Sequence, residues 1–485
     1  MPNVPRPTPF AHDPAQFPAV HRPGPLMKPQ RVIRRCVGLA SLLICAAAGA
    51  AQGEMAEHDL ANGMKVVVLE DHRAPTVASM VWYRTGSMDE LSGTTGVAHV
   101  LEHMMFKGTL KHPPGAFSRL IAAAGGRDNA FTNRDYTAYF QQLHKSKLPL
   151  ALDLESDRMQ NLELSDAEFD KEIKVIMEER RMRTDDKPQA LLYEQMMAVA
   201  YTGGAYRSPV IGWMNDLENM TAADARTWYR KWYMPNNATL VVVGDVEPAE
   251  VFALADERFG PIPSRELPVR KPQVEPAQRG TKRVTVKGPG ELPYLLMAWH
   301  VPVLRDVEQD WEPYALSVLV GVLDGSDAAR LDRALVKENR IAVSAGASYD
   351  SVYRAGGMFF VDGSPAPGKT VADVEAALRT ELRRVMDDGV SAAELQRVKA
   401  QVIAGQVFQR DSMFAQAMQI GILHNAGLPY DSADVQVRRL REVTPDQVRQ
   451  VARRYLVDDS LTVAVLDPQS LVPKTAAAAK PADKP

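Results

Sequence analysis

The fold of this chain is decided by the stretch Val97-Ala98-His99-Val100-Leu101-Glu102-His103-Met104-Met105-Phe106. An α-helix advances about 100° per residue, so His99 and His103 lie one turn apart on the same face. That spacing lets both imidazoles reach one metal ion at about 2.0–2.1 Å. Glu102 lies at the edge of this face, where it can reach a metal-bound water without becoming a ligand. The stretch therefore predicts a helix that carries a metal site.

Chance is the alternative to this interpretation. The chain has only 10 histidines in 485 residues, so a random match to three fixed positions has a probability on the order of one per cent. The flanking residues are apolar and indicate a buried helix: Val97, Val100, Leu101, Met104 and Met105. Burying two imidazoles and a carboxylate among them is costly unless something compensates their polarity, and a metal ion would do so.

Length and composition are those of an ordinary globular protein. Of its 485 residues, 45% are hydrophobic and 24% are charged, which fits two to four domains. Residues 1–51 carry six basic and one acidic side chain, so removing them takes the formal charge from −3 to −8. No basic tract then remains, and we expect no nucleic-acid partner. Both cysteines, Cys36 and Cys45, lie in the same segment, so the mature chain needs no disulfide.

The amino-terminal segment has the pattern of a secretory signal. Residues 1–26 are rich in proline, and a basic region beginning at Met27 precedes an uncharged apolar run over residues 36–51. Ala48-Gly49-Ala50 fits a cleavage site of small residues. The run is shorter than the about 20 residues of a membrane span, so we predict a cleaved signal peptide and a periplasmic protein. An uncleaved membrane anchor is the alternative.

Hydrophobic periodicity predicts a first half that mixes strands with helices. Strands are predicted at residues 64–69, 77–83 and 238–243, and from the turn at Gly125-Gly126 to Phe140. A helical region is predicted over about residues 147–182, with a capping box at Ser165-Asp166-Ala167-Glu168, and a further helix over residues 222–232.

A proline-rich segment separates this half from a second half of similar style. Residues 261–280 hold five prolines and have the character of a linker. After it, strands are predicted at residues 295–301 and 461–466, and helices at 315–323, 371–386, 391–426 and 444–455. Tyr233 and Tyr455 each end a helix that precedes a strand, and their offset of 222 residues predicts an internal duplication.

These boundaries predict a chain of five parts. They are a disordered leader plus signal peptide at residues 1–52, an amino-terminal metal-binding domain at 53–262, a linker at 263–282, a homologous carboxy-terminal domain without a metal site at 283–470 and a disordered tail at 471–485. The tail is assigned by composition, since residues from Pro473 onward are almost entirely Ala, Lys and Pro.

The metal site needs a third protein ligand, because catalytic zinc usually has three. The capped helical region offers Glu172, Glu178 and Glu179. Glu172 and Glu179 share an apolar stripe, but about 10.5 Å of helix separates them, so both cannot bind one ion. Glu178 projects about 100° away from Glu179, as a solvated residue would. Periodicity does not choose between Glu172 and Glu179.

The chain as a whole resembles the pitrilysin/insulinase family of zinc peptidases, to which mitochondrial processing peptidase and bacterial relatives belong. The likeness covers roughly residues 55–470, and it rests on Glu102-His103-Met104-Met105-Phe106-Lys107-Gly108-Thr109, Gly125-Gly126, Asn129-Ala130-Phe131-Thr132 and Pro235-Asn236-Asn237-Ala238. The resemblance implies an α+β fold of two homologous α/β-sandwich domains of the mitochondrial-processing-peptidase type. Each domain would hold an antiparallel sheet packed by helices.

The resemblance also implies roles for individual residues of an endopeptidase. It implies one Zn²⁺ per chain, with His99, His103 and Glu179 as ligands, and two further catalytic-site acids, Glu102 as general base and Glu172 supporting the ligands. It implies that the strand holding Asn129, Ala130 and Phe131 pairs with an extended peptide substrate, a mode that tolerates varied sequences. A plain turn role is the alternative for Asn129. Manganese and cobalt remain alternatives to zinc.

The chain departs from the family at one place in its second half. Active members carry an Arg and a Tyr that hold the substrate, and the alignment puts them at Val336 and Val343. Arg333 or Arg340 would take this role if the register were shifted. The double replacement predicts a zinc-bearing subunit of a heterodimer, whose homologous partner supplies the Arg/Tyr pair, or otherwise a homodimer. A non-catalytic peptide-binding or assembly subunit is the alternative function.

Overall fold

The computed structural model describes residue 53 and residues 55–469. The predicted leader and signal peptide at residues 1–52 and the predicted tail at 471–485 lie outside these residues. Within the described part of the chain, no helix combines the length and the apolar character that a membrane crossing requires. The described residues form two β-sheets, each packed by helices.

The first sheet is mixed rather than purely antiparallel. Its strands among the described residues are β1 (Met55–Asp59), β2 (Lys65–Glu70), β3 (Thr76–Tyr83), β4 (Arg127–Thr132), β5 (Thr137–His144) and β6 (Ala238–Gly244). Their spatial order is β1-β2-β6-β3-β5-β4, and all neighbours are antiparallel except β2 and β6. The expectation of an antiparallel sheet is corrected here. A long helical crossover precedes β6, and such a connection allows a parallel partner.

One predicted strand is in fact a hairpin. The apolar pattern after Gly125-Gly126 predicted one strand to Phe140, but the chain reverses after Thr132. Asn133 causes the reversal, because its side-chain oxygen accepts the backbone N–H of Asp135 at 2.7 Å and so stabilises a turn. As a result, β4 becomes the edge strand of the first sheet.

The second sheet repeats the connectivity of the first. Its strands in the described chain are β7 (Lys282–Pro289), β8 (Tyr294–Val301), β9 (Ala342–Tyr349), β10 (Gly357–Pro365) and β11 (Leu461–Gln469). The order is β7-β11-β8-β10-β9, with only β7 and β11 parallel. The last strand in sequence, β11, lies between β7 and β8, just as β6 lies between β2 and β3. The predicted α+β fold of two homologous halves is confirmed.

Helices flank both sheets. In the first half they are α1 (Val97–Met104), α2 (Ala116–Ala123), α3 (Leu148–Asn161), α4 (Asp166–Arg180), α5 (Pro188–Ala200), α6 (Met214–Asn219), α7 (Ala222–Trp232) and α8 (Pro248–Arg258). In the second half they are α9 (Glu312–Asp324), α10 (Val371–Asp388), α11 (Ala392–Gln409), α12 (Met413–Ala426), α13 (Ala433–Glu442) and α14 (Pro445–Tyr455). The capping box at Ser165 predicts a new helix start within residues 147–182, which is observed, and the region predicted over residues 391–426 is also divided in two. Ser165 begins α4 by accepting the N–H of Glu168, and Ser412 begins α12 in the same way.

One helix of each half packs on the sheet of the other half. Helix α5 of the first half packs on the second sheet, where Leu192 and Met196 lie against apolar residues of β7, β8 and β11. Helix α12 of the second half packs on the first sheet, where Gly421 lies directly against the ring of Trp82. The other face of each sheet carries helices of its own half. Each sheet is therefore covered on both faces only when the halves are joined.

Candidate metal centre

Helix α1 presents the histidine motif from a tightly held amino terminus. Its first turn follows Gly96, whose φ of 90° lies in the left-handed region and whose hydrogen atoms face the backbone of Ile211. Glycine has no side chain to cap the helix. The carboxylate of Glu90 takes that role, since it accepts the N–H of Gly96 at 2.8 Å and that of Ala98 at 2.9 Å.

Helix α4 packs against α1 and brings a carboxylate to the two imidazoles. One oxygen of Glu179 lies 3.9 Å from Nε2 of His99 and 3.4 Å from Nε2 of His103. One ligand atom from each of these three residues lies within 4.8 Å of the others. The structure thus assembles the three predicted ligands, although Glu179 follows His103 by 76 residues in the sequence.

These distances fit a zinc ion. Ligand bonds of about 2.0–2.2 Å in a tetrahedron put neighbouring ligand atoms roughly 3.3–3.6 Å apart, so only small side-chain shifts are needed. The donor set of two imidazoles and one carboxylate is that of known catalytic zinc sites, which leave a fourth position open. His99 is 8% exposed, and its Nδ1 has no hydrogen-bond partner among the described residues. Burial lowers the pKa of His99 to about 3, so its ring is neutral and able to bind a metal.

His103 lies between Glu172 and Glu179, the two acids between which sequence periodicity does not choose a metal ligand. Its Nδ1 lies 2.9 Å from Glu172, while its Nε2 faces Glu179 on the other side of the ring. Glu172 also pairs with Lys107 at 2.5 Å. An N–H at Nδ1 donating to Glu172 leaves the Nε2 lone pair for a metal. Glu172 therefore contacts a ligand, and Glu179 is placed to be one.

The two acids also set the charge of this group. Burial disfavours the imidazolium, but the hydrogen bonds to Glu172 and Glu179 outweigh it and raise the pKa of His103 to about 9. Burial likewise opposes ionisation of Glu179, yet the two histidines and Arg183 lower its pKa to about 2. Without a metal, the carboxylates thus hold a proton on His103, and a binding cation would replace that proton.

The predicted substrate residues lie on the edge strand of the first sheet. Asn129, Ala130 and Phe131 are consecutive residues of β4. Ala130 is fully buried, and Phe131 packs edge-on against Trp82 with ring centroids 5.5 Å apart. The side chains of Ala130 and Phe131 thus pack within the protein, so β4 can bind a peptide mainly through its backbone groups. Their role in substrate binding stays a prediction.

The second half places no arginine–tyrosine pair at the aligned positions. Val336 lies in a π-helical turn at residues 332–338, and Val343 is 48% exposed on the edge strand β9. The side chain of Arg333 is 53% exposed, with Glu338 at 3.9 Å. Arg340 is exposed and has a positive φ of 49°.

The structure adds three residues that the sequence analysis did not single out. They are Glu90 at the start of α1, Lys107 beside Glu172, and Arg183, which pairs with Glu179 at 2.6 Å. Arg183 was detectable, because Glu179 precedes it by one helical turn and such pairs attract. No sequence pattern near Glu90 predicts its contact with α1, because only the fold of the intervening loop brings it to the helix.

We expect Glu90→Ala to weaken both the fold and the metal site. The variant leaves the N–H groups of Gly96 and Ala98 without their carboxylate acceptor, which should cost about 1–2 kcal/mol of unfolding free energy. It should also lower zinc affinity several-fold, because α1 carries two of the three candidate ligands. Urea unfolding of the metal-free chain and zinc competition with a chelator measure the two effects. Glu90→Gln, which keeps an acceptor, should lose less, and equal stability of Glu90→Ala and wild type would contradict this role.

Comparison with known proteins agrees with this geometry. The sequence profile described as "Insulinase (Peptidase family M16)" matches residues 65–212, which include all the candidate ligands. The profile described as "Peptidase M16 inactive domain" matches residues 219–402. The chain belongs to peptidase family M16. This M16 chain therefore has the family's two-part organisation, although β6 of the first sheet lies within the second profile.

Relatives of this M16 chain include several proteins described as zinc proteases. The zinc protease PqqE of Helicobacter pylori is 30% identical over 376 residues, covering 76% of this chain and 84% of the relative. An uncharacterized zinc protease of Streptomyces coelicolor is 29% identical, covering 83% of this chain and 88% of the relative. The mitochondrial-processing peptidase subunit beta of Lentinula edodes is 25% identical, covering 84% and 88%.

Solved structures of M16 proteins share this fold. A protease from Helicobacter pylori superposes with a TM-score of 0.81 at 26% identity, covering 86% of this chain and all of that chain. The periplasmic protease PqqL from Escherichia coli gives a TM-score of 0.73 at 20% identity, covering 87% of this chain and 49% of that chain. The family and the fold together indicate a metallopeptidase.

Proposed function

We propose that this chain is a zinc-dependent endopeptidase that hydrolyses extended or unfolded peptides and binds one Zn²⁺. The observation that supports this most is the convergence of His99, His103 and Glu179 within 4.8 Å, with Glu102 on the same turn of α1 as His103. A protein with only a structural role has no need for a buried glutamate beside such a group. Glu102 is 8% exposed.

Each residue of the site has a step in this proposal. When bound, zinc supplies a Lewis acid that makes a water acidic near neutral pH and polarises the scissile carbonyl. Glu102 accepts the proton of the attacking water on a carboxylate oxygen and then gives it to the leaving amine nitrogen. Glu172 holds the ring of His103 in the orientation and tautomer that ligation requires.

Strand β4 is the proposed binding edge for the peptide. No other strand of the described chain pairs with its outer side, so its backbone groups can bond an extended segment. Asn129, Ala130 and Phe131 would supply these bonds from the backbone, which makes binding tolerant of the peptide sequence. The peptide would then run beside α1, which packs against β4.

We propose that a homologous subunit completes the site. Val336 and Val343 stand where the family's substrate-holding Arg and Tyr are expected, and neither side chain can donate a hydrogen bond to a peptide. A second chain with the Arg/Tyr pair would provide these donors, and a homodimer is the other arrangement. The same loss favours the second candidate function, a non-catalytic peptide-binding or assembly subunit.

We also propose that the protein acts in the periplasm. The support is the basic and apolar pattern of residues 27–51 with its small-residue cleavage site, and the absence of cysteine from the rest of the chain. A membrane anchor would follow if the signal is retained.

Metal analysis together with peptide hydrolysis tests the proposed function. The purified chain should hold about one zinc ion and should cleave a mixture of unstructured peptides when combined with a homologous chain that has the Arg/Tyr pair. Cleavage by the chain alone would refute the need for that partner and keep the peptidase. Zinc without cleavage in either sample would favour the non-catalytic function.

A further inference from the structure

Arg134 lies in the turn between β4 and β5, two residues beyond the end of the proposed peptide-binding edge. Its Nε is buried and has no hydrogen-bond partner in the described part of the chain. Among residues 53 and 55–469, its guanidinium donates no hydrogen bond and contacts no carboxylate as an ion pair. An arginine stays charged at any ordinary pH, so a largely enclosed cation lies here without an anion.

Other enclosed arginines of this chain do have an acid. Arg158 donates to Glu155 at 2.8 Å, Arg180 donates to Glu194 at 2.8 Å, and Arg354 donates to Asp89 at 2.9 Å. This is the usual arrangement, because a buried charge is costly unless it is paired. Arg134 differs from all three, so its charge is available to an anion that the described residues do not supply.

Tyrosine rings surround Arg134 in place of an acid. The guanidinium carbon lies 5.7 Å from the ring centre of Tyr193 on α5 and 5.9 Å from that of Tyr206. Tyr353, from the loop between β9 and β10, packs on Tyr206 at 5.6 Å. Rings of this kind stabilise the cation through its face and leave the N–H groups at its edge available. Residues of both halves therefore lie around the guanidinium of Arg134.

The adjacent acid is already occupied. Asp135 accepts the hydroxyl of Tyr206 at 2.5 Å with one carboxylate oxygen and the backbone N–H of Arg354 at 2.9 Å with the other. The carboxylate thus ties the two halves together and does not pair with Arg134. The fork of N–H groups on Arg134 matches a carboxylate from another molecule, which it can bind with two parallel hydrogen bonds.

We propose that Arg134, framed by Tyr193 and Tyr206, is a specificity subsite that binds a carboxylate of the peptide substrate. This inference rests on the proposed function, because the peptide must run along β4 to reach it. The carboxylate can belong to an acidic side chain or to the carboxy terminus. An extended strand rises about 3.4 Å per residue, so the group lies on the part of the peptide just beyond Thr132.

Paired peptides test this subsite. In one series, Asp replaces Asn at successive positions of an otherwise neutral peptide, and in another a free carboxy terminus replaces an amide. At one position the carboxylate form should have about a ten- to hundred-fold higher kcat/KM, the usual worth of a hydrogen bond to a charged group. Arg134→Gln should remove that preference, so that the carboxylate and neutral peptides of each pair have about the same kcat/KM. Arg230→Gln, an exposed arginine on α7, is the matched control and should keep the preference.

Thermal unfolding and peptide binding distinguish a substrate-binding arginine from a structural one. Removal of an unpaired, largely enclosed cation should leave Tm unchanged or higher, whereas loss of a structural arginine would lower it. Peptide binding is measured by fluorescence anisotropy with the Glu102→Gln chain, so that the measured affinity does not depend on hydrolysis. A carboxylate preference in binding without any cleavage by wild type would refute only the peptidase. Equal affinity and turnover for carboxylate and neutral peptides at every position, or a preference that survives Arg134→Gln, would overturn the subsite.

Discussion

Glu102→Gln should lower kcat by about 10²–10⁴-fold while zinc stays bound, the range typical for loss of a general base. Glutamine has nearly the shape of glutamate but cannot accept a proton from the attacking water. Glu102 is not among the three residues whose ligand atoms converge, so the metal should remain. Elemental analysis measures the zinc content, and steady-state hydrolysis of one fluorogenic peptide measures kcat.

Glu178→Gln is the matched control for this variant. It makes the same chemical change on α4, where the side chain of Glu178 is 61% exposed and pairs with Arg181 at 3.0 Å. It should leave kcat, KM and zinc content as in the wild type. Normal turnover by Glu102→Gln would show that another group is the base, and loss of zinc would show that Glu102 helps to hold the metal.

Three glutamates of α4 should give a graded loss of zinc affinity. Glu179→Gln removes a candidate ligand and should prevent stoichiometric zinc binding, with peptidase activity lost in proportion. Glu172→Gln leaves the ligand atoms but weakens the orientation of His103, so about a 10–100-fold lower affinity is expected. Glu178→Gln should have no effect. Competition with a chelator of known affinity ranks the three variants.

The order of the zinc affinities of these variants tests which glutamate is the ligand. If Glu172→Gln loses more zinc than Glu179→Gln, the ligand and its support are exchanged, and the metal would lie on the Nδ1 side of His103. His103→Ala provides the reference for complete loss. Circular dichroism of each metal-free variant shows whether a low affinity reflects the site or an unfolded chain.

Local features of the fold were predictable because they depend on near neighbours. The predicted helix over residues 222–232 is α7, with identical bounds, and the predicted strands at 64–69 and 77–83 differ from β2 and β3 by one residue at most at either end. Helical periodicity alone puts His99 and His103 on one face. The offset of 222 residues between Tyr233 and Tyr455 predicts an internal duplication, and the family resemblance implies two homologous halves; the matching strand orders bear this out.

Features that depend on distant partners were missed or left open. Helix α5 was not predicted, since its apolar residues surround the helix and pack partly on β7, β8 and β11 of the other half. Alternation of apolar residues continues through the hairpin of β4 and β5 and therefore predicts one strand, whereas the turn at Asn133 reverses the chain.

The sequence by itself determined that two imidazoles and Glu102 share one helical turn, because a helix repeats every 3.6 residues whatever surrounds it. Only the tertiary structure decided which acid of α4 reaches Nε2 of these rings, since that depends on how α4 packs across α1. The same holds for Arg134, whose lack of an acidic partner within the described part of the chain is set by Tyr193, Tyr206 and Asp135. Periodicity orders residues within one element, whereas the packing of elements decides which charges meet.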